Sequence, residues 1–252
     1  MNDYDLILTT TATNRPDLHN DVFPSMCEFL SGLSCLWLIN IDCISYPNAK
    51  NEDETKDNFL KIFKNWSNIS PVFSSYSKGK NSIITKDDSE NIPRYSDKKI
   101  AGTYEGLYRT TQYLFEESCK YSSRYGVFWF EDDWQCDGFD LKLIDIFNNI
   151  GFGDMEYLAL AQNNSISGSP GVYGNGLVEN WVVPTLNNKA HDRWMRMAER
   201  VLGSSPNPVK KIYSQFSYFR DVGRIWGDRN IADSQREDMK THPPRTFNTK
   251  SY

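Results

Sequence analysis

Along the first half of the chain, short apolar runs alternate with segments that are apolar only at helical spacing. Leu6 to Thr11 is a β-rich run that breaks at Asn14-Arg15-Pro16-Asp17, residue types that favour a loop. Val22, Met26, Phe29 and Leu33 then recur at helical spacing, predicting a helix over about 17–33 whose start Pro24 can shift forward to itself. Leu36 to Ile41 reads as a buried second strand ending at Asp42. After a polar stretch, Phe59, Ile62, Phe63 and Trp66 mark an amphipathic segment, and Pro71-Val72-Phe73 a short third strand. Residues 77–99 are polar and read as an exposed excursion. Helix resumes near Gly102, with Leu107, Thr111, Leu114 and Phe115 on one face, and Val127 to Phe130 is a fourth strand that stops at Glu131-Asp132-Asp133.

The second half is less regular. Leu141 to Ile150 predicts a helix, Tyr157 to Ala161 a strand, and Ala190 to Leu202 another helix. Residues 163–180, rich in Gly, Ser and Asn, read as a pocket-shaping loop. The chain after Gly203 is irregular and closes in a polar tail from Thr241 to Tyr252. Strand–helix alternation predicts an α/β fold, a mostly parallel central sheet flanked by helices, with an irregular C-terminal region. In such sheets ligands lie beyond the carboxyl ends of the strands. Asn14-Arg15, Asp42 and Glu131 to Asp133 all fall there. A chain of 252 residues accommodates one such domain with a sizeable core.

Composition narrows the function classes. The net charge is −5, from 28 basic and 33 acidic residues, with no basic block, which disfavours nucleic acid as a partner. Aromatic residues make up 14% of the chain; their rings stack on sugar faces or fill a core, and composition alone favours the core. Five cysteines without a C-x-x-C pair predict free thiols rather than a disulfide framework or a zinc site. Met1 to Asp5 lacks a positive n-region, and no apolar run approaches the roughly 18 residues of a membrane span. The expectation is a cytoplasmic protein without a membrane span.

Three consecutive acids after an apolar strand repel one another unless a cation holds them. Hard carboxylate oxygens suit Mg²⁺ or Mn²⁺, which also accept substrate phosphates as ligands. Alternation lets Glu131 and Asp133 share one face. The alternative is a solvated acidic turn.

Phe130-Glu131-Asp132-Asp133-Trp134 resembles the DXD-type motif of GT-A glycosyltransferases, particularly those of large viruses and phages that build capsid or surface glycans. Leu6 to Thr11 with Asn14-Arg15-Pro16 is similar to the first strand and loop of that family. Tyr218-Phe219-Arg220-Asp221-Val222-Gly223-Arg224-Ile225-Trp226 is similar to its late F-x-D-[IV]-G-R-x-W segment. The resemblance implies a single GT-A-like domain over 1–252, with a nucleotide-sugar-binding half over about 1–135 and an acceptor-shaping half over about 136–252. It implies transfer of a sugar from a UDP- or GDP-sugar to a hydroxyl of a glycan or glycoprotein acceptor, in the cytoplasm, such as that of a virus- or phage-infected host cell.

The resemblance also implies roles. Thr10, Thr11, Asn14 and Arg15 would face the nucleotide, and Asp42 would bind the base or simply cap its strand. Asp133 would ligate Mn²⁺ or Mg²⁺, with Glu131 or Asp132 on the ribose or a metal-bound water. His242, presented by Pro243-Pro244, would complete the metal shell, or is a surface histidine in a tail. Asp221 is the candidate general base, Glu179 its competitor, and a packing or ion-paired role the alternative for Asp221. Tyr173 and Trp181 would stack on the acceptor sugar or pack their loop against the core. His19 and His191, near helix starts, read as caps or packing residues.

Rival classes leave other signatures. A nucleotidyltransferase expects a Gly-rich, basic phosphate loop after the first strand, where this chain has Thr-Ala-Thr-Asn-Arg-Pro. A glycoside hydrolase expects two separated carboxylates. A carbohydrate-binding module without catalysis gives the acidic triplet no task.

Overall fold

The structure is a computed structural model that describes residues 3–12, 18–41, 52–74, 98–131, 134–136, 142–160, 170–188, 198, 201–202, 210–214, 219–221 and 247–251. For 52, 98–107, 134, 214, 220, 221 and 247–251 it describes the backbone alone. An eight-stranded sheet is built from β1 (Leu6–Ala12), β2 (Cys35–Ile41), β3 (Ile69–Ser74), β4 (Val127–Trp129), β6 (Glu156–Ala159), β7 (Gly171–Tyr173), β8 (Lys210–Ser214) and β10 (Phe247–Ser251). Its order is β10-β8-β6-β7-β4-β1-β2-β3. A second sheet pairs β5 (Trp134–Cys136) with β9 (Phe219–Asp221). Within the large sheet β7 and β10 run against the other strands, which share one direction. The mixed α/β class and the flanking helices agree with the sequence.

The helices are α1 (Phe23–Phe29), entered through a π-helical turn at Leu18–Val22, α2 (Glu52–Phe63), α3 (Lys98–Ser118) and α4 (Leu143–Ile150). A fifth, α5, joins α-helical Asn175–Leu177, a second π-helical turn at Val178–Val182, and α-helical Val183–Asn187. Pro24 sits in the first turn of α1, where its missing N–H leaves no bond unmade. Alternation along the strands gives the sheet two apolar faces. Leu6, Leu8, Trp37, Ile39, Phe128 and Phe130 meet α1, α2 and α4, while Ile7, Leu36, Leu38, Val127 and Trp129 meet α3 and α5. Ala198, Val201 and Leu202, from the predicted helix over 190–202, are helical and buried on the second face.

Two expectations change. The stretch 163–180 is not all loop: β7 and the first turns of α5 occupy 171–180. Gly171 is a glycine because the ring of Tyr157 lies 2.4 Å from where its Cβ would stand. The C-terminal region is not wholly irregular either. Lys210–Ser214 pairs with β6 and Phe247–Ser251 with β8, extending the sheet with strands from the late chain. The predicted excursion over 77–99 lies outside the described residues except for 98–99, which open α3.

The offset of β4 against β1 is pinned at Gly126. Its carbonyl accepts from the Ile7 N–H at 3.0 Å, and the Ser123 hydroxyl bonds both of its backbone groups at 3.1 Å. Gly126 has φ of 115°, and an added Cβ would stand 2.1 Å from the Tyr173 carbonyl oxygen. Neither problem is relieved by moving a side chain. Gly126→Ala is therefore expected to lower unfolding free energy by about 3 kcal/mol, the sum of left-handed strain and a backbone clash. Urea denaturation measures this; a loss under about 1 kcal/mol would show that the turn relaxes.

Candidate active site at the carboxyl edge of the sheet

β2 and β3 follow β1 to one side, and β4 lies on its other side, so the strand order reverses between β1 and β4. The crevice outside the carboxyl ends at such a reversal is where open α/β sheets bind ligands. The residues reaching that edge are Thr10, Thr11 and Ala12 of β1 and Phe130-Glu131 after β4. The Phe130 N–H donates to the Thr9 carbonyl at 3.2 Å, carrying the pairing one residue past β4 and setting Glu131 alongside the end of β1. Phe130 is fully buried, edge-on to Trp37 and Phe23 at 5.5 and 6.2 Å between centroids. It anchors the backbone from which the acids depart, and Glu131 is partly exposed. Thr10 is fully buried and its hydroxyl leans 3.4 Å toward the Thr11 carbonyl; Thr11 is partly exposed. In the adjoining strands, the Ser74 hydroxyl donates to Asn40 Oδ1 at 3.0 Å, adding a polar pair at the same edge.

The small sheet brings a distant segment to this edge. In its antiparallel register Trp134 faces Asp221, Gln135 faces Arg220 and Cys136 faces Phe219. Asp221 is thus the cross-strand partner of the residue directly after Asp133, and two motifs some 90 residues apart in sequence share one ladder. Two contacts hold the ladder down. The Cys136 N–H donates to the Ser25 hydroxyl of α1 at 3.1 Å, while that hydroxyl donates to the Val22 carbonyl at 2.8 Å. Phe219 is fully buried, edge-on to Phe29 and Phe128 at 5.6 and 5.9 Å. The sequence names Asp221 from its motif; its pairing with Trp134 needs the strand register.

Asn14, Arg15, Asp42, Asp132, Asp133 and His242 lie outside the described residues. Among the described residues no group of three His, Cys, Asp or Glu is placed to hold a metal ion. The acidic triplet, two of whose members are in that outside set, is therefore judged by its donor chemistry. Three adjacent carboxylates fit a hard divalent cation.

Glu179 belongs elsewhere. Tyr173 pairs with Val127, the first residue of β4, so α5 starts at the amino edge of the parallel strands. Asn175 bonds Ser123 there, and the Glu179 carboxylate lies close enough to help burial raise the Cys119 thiol pKa. Cys119 directly follows α3, at that same amino edge. Glu131 leaves the opposite edge, so Glu179 does not join the acids. Tyr173 and Trp181 are corrected as well. Tyr173 is fully buried against Tyr157 and Phe115 at 4.7 and 5.6 Å, and Trp181 is buried in the same cluster. Both rings belong to the core, where no sugar can stack on them.

Cys27, Cys35 and Cys136 are buried thiols outside any disulfide, in line with the sequence. Burial, reinforced by Cys35 for Cys27 and by Asp5 for Cys35, pushes both thiols far above the ordinary range. They stay protonated and inert.

No protein-family model matches the chain, and no curated protein matches it. Among solved structures the chain is similar to PaToxG glycosyltransferase, with 10% sequence identity and a TM-score of 0.39. The match covers 79% of this chain and 66% of that one, just under two thirds of its length. No helix among the described residues is long and apolar enough to cross a membrane.

Ser25 is a polar link between the small sheet and α1. Ser25→Ala leaves the Cys136 N–H without its acceptor and is expected to lower stability by about 1–2 kcal/mol. Hydrogen exchange at the Cys136 amide is the sharper readout, rising in the variant. Unchanged protection would mean that Phe219 alone holds the ladder.

Proposed function

We propose that the chain is a metal-dependent glycosyltransferase of the GT-A kind, moving a sugar from a UDP- or GDP-sugar to a hydroxyl of a glycan acceptor. The observation that carries this reading is the pairing of Trp134 with Asp221, at the edge where the strand order reverses. It pairs a late acid, the general-base candidate, with the residue that follows the cation-binding candidates in sequence, which supports the reading.

On this reading Asp133 holds Mn²⁺ or Mg²⁺, with Glu131 or Asp132 on the ribose or a metal-bound water and His242 completing the shell. The bound cation supplies Lewis-acid stabilisation of the departing diphosphate. Thr11, Asn14 and Arg15 line the nucleotide, Thr10, fully buried, is left without a contact to it, and Asp42 takes the base. Asp221 accepts the proton of the acceptor hydroxyl as its oxygen bonds to the anomeric carbon. The bond from that carbon to the diphosphate oxygen breaks, and the nucleoside diphosphate leaves with the electron pair. Deprotonation by a positioned base contributes about 10²–10⁴-fold to such a step. The reading has Asp221 as the base and leaves Glu179, at the amino edge, without a role in transfer.

Calorimetric titration of UDP and GDP, with and without Mn²⁺, tests the donor site. One diphosphate is expected to bind only with metal, and Asp133→Ala to abolish that binding. Asp221→Asn is expected to retain the nucleotide affinity while lowering turnover by about 10²-fold or more. If neither nucleotide binds, or binding ignores both metal and Asp133, the transferase reading fails and a carbohydrate-binding module replaces it.

A further inference from the structure

Ser25 and Phe29 stand one turn apart on α1, so they share a face of that helix. That face holds both members of one rung of the small sheet. The Ser25 hydroxyl accepts the Cys136 N–H at 3.1 Å, and the Phe29 ring meets Phe219 edge-on at 5.6 Å. Cys136 and Phe219 are register partners, both fully buried. Trp134 and Asp221 pair two residues away on the same ladder. With its Cys136 N–H directed at α1, β5 lies between α1 on one edge and β9 on the other.

The two anchors constrain the rung differently. Ring packing resists separation more than it resists tilt, whereas a hydrogen bond weakens steeply as its angle closes. The Ser25 hydroxyl is itself fixed: its proton goes to the Val22 carbonyl at 2.8 Å, which leaves the oxygen's lone pairs for the Cys136 N–H. Along a strand, residues 219 and 221 stand about 6.6 Å apart, so a tilt of about 10° at the rung carries the backbone of 221 by about 1 Å. A misplacement of about 1 Å at a reacting group costs on the order of 10²-fold in rate. The acids are held from a second side as well, where the Phe130 N–H donates to the Thr9 carbonyl at 3.2 Å.

We propose that Ser25 is a positioning residue for the transfer reaction, fixing, through the rung of Cys136 and Phe219, the strand that carries Asp221. The inference rests on the reading of Asp221 as general base, and it gives the face of α1 a part in turnover as well as in stability. Ser25 acts through the alignment of β9, so its loss falls on kcat more than on the binding of the nucleotide sugar.

The experiment uses the full chain with Mn²⁺ and a panel of UDP- and GDP-hexoses, reading nucleoside diphosphate release, alongside hydrogen exchange at the amides of 219–221. In Ser25→Ala, exchange at those amides is expected to rise, and kcat to fall about tenfold or more with KM for the nucleotide sugar within about twofold. Ser25→Thr keeps the hydroxyl and its bond to the carbonyl three residues back, and is expected to restore both. Ser25→Cys offers a weaker acceptor and is expected to fall between the two, which carries the test if the alanine variant does not fold. A structural role alone lowers the melting temperature of these variants and leaves kcat unchanged well below it. Unchanged exchange at 219–221, or unchanged kcat in both Ser25→Ala and Ser25→Cys, overturns the inference, while Asp221 stands as the base provided Asp221→Asn has lost turnover. If Asp221→Asn turns over like the parent, or no nucleotide sugar turns over at all, the reading of Asp221 itself fails and takes this inference with it.

Discussion

The molecule is organised around the ring of Phe23. From the first turn of α1 it reaches Phe59 of α2 at 4.6 Å, Trp37 of β2 at 4.7 Å, and Phe130 beyond β4 at 6.2 Å. One side chain thereby couples two helices and two strands. Interiors are close-packed, so shifting any of these rings opens a void that the others do not fill without leaving their rotamers. The carboxyl edge inherits that rigidity. Phe130 directly precedes Glu131, Ser25 lies two residues beyond Phe23 and carries β5, and the π-helical turn ends where Phe23 begins. The position of the candidate site is thus a consequence of the core and is not left to the loops around it.

What could be read from the sequence follows from how each element is buried. β1, β2 and β4 are covered on both faces and appear as apolar runs, so their existence and approximate ends were readable. α1 and α2 show helical spacing because only one stripe of each meets the sheet. β7 was hidden by its glycine. Gly171 reads as loop flexibility, whereas it is there because the Tyr157 ring takes the space of a side chain. β8, Lys-Lys-Ile-Tyr-Ser, gives no clean alternation, because Lys211 is buried and its ammonium lies 5.9 Å from the rings of Tyr157 and Tyr213. Buried lysine runs against the usual correspondence between charge and exposure.

The candidate site divides along the same line. The acidic triplet was readable because an apolar strand ends on it, and Asp221 because it sits in a motif. The pairing of Asp221 with Trp134 was not. β5 and β9 are three residues each, too short for periodicity, and register depends on contacts such as Phe219 against Phe29 and Phe128 that connect residues far apart in sequence. Glu179 was misplaced for a related reason. With 163–180 taken as one loop, nothing in the sequence tells which edge of the sheet it returns to. The short antiparallel β7 decides, carrying the chain to the amino edge before α5 begins.

The two edges differ in kind, and this bears on how a sugar nucleotide would be recognised. At the amino edge backbone approaches backbone: a Cβ on Gly126 would meet the Tyr173 carbonyl at 2.1 Å, and one on Gly174 the Asp154 carbonyl at 2.3 Å. On the same face as α5, the Tyr108 hydroxyl donates to the Leu186 carbonyl and the Gln112 amide to Asn187 Oδ1, both at 2.5 Å, locking α3 to α5. The carboxyl edge instead gathers Thr10, Thr11, Asn40, Ser74 and Glu131. Among the described residues every one of the largest fully buried side chains is aromatic, so these rings serve packing and not sugar contact. Stacking on Tyr173 or Trp181 is therefore not the means of recognition. On the proposed reading the donor is held by hydroxyls and carboxylates, directional groups at an edge whose strands the aromatic core fixes from below.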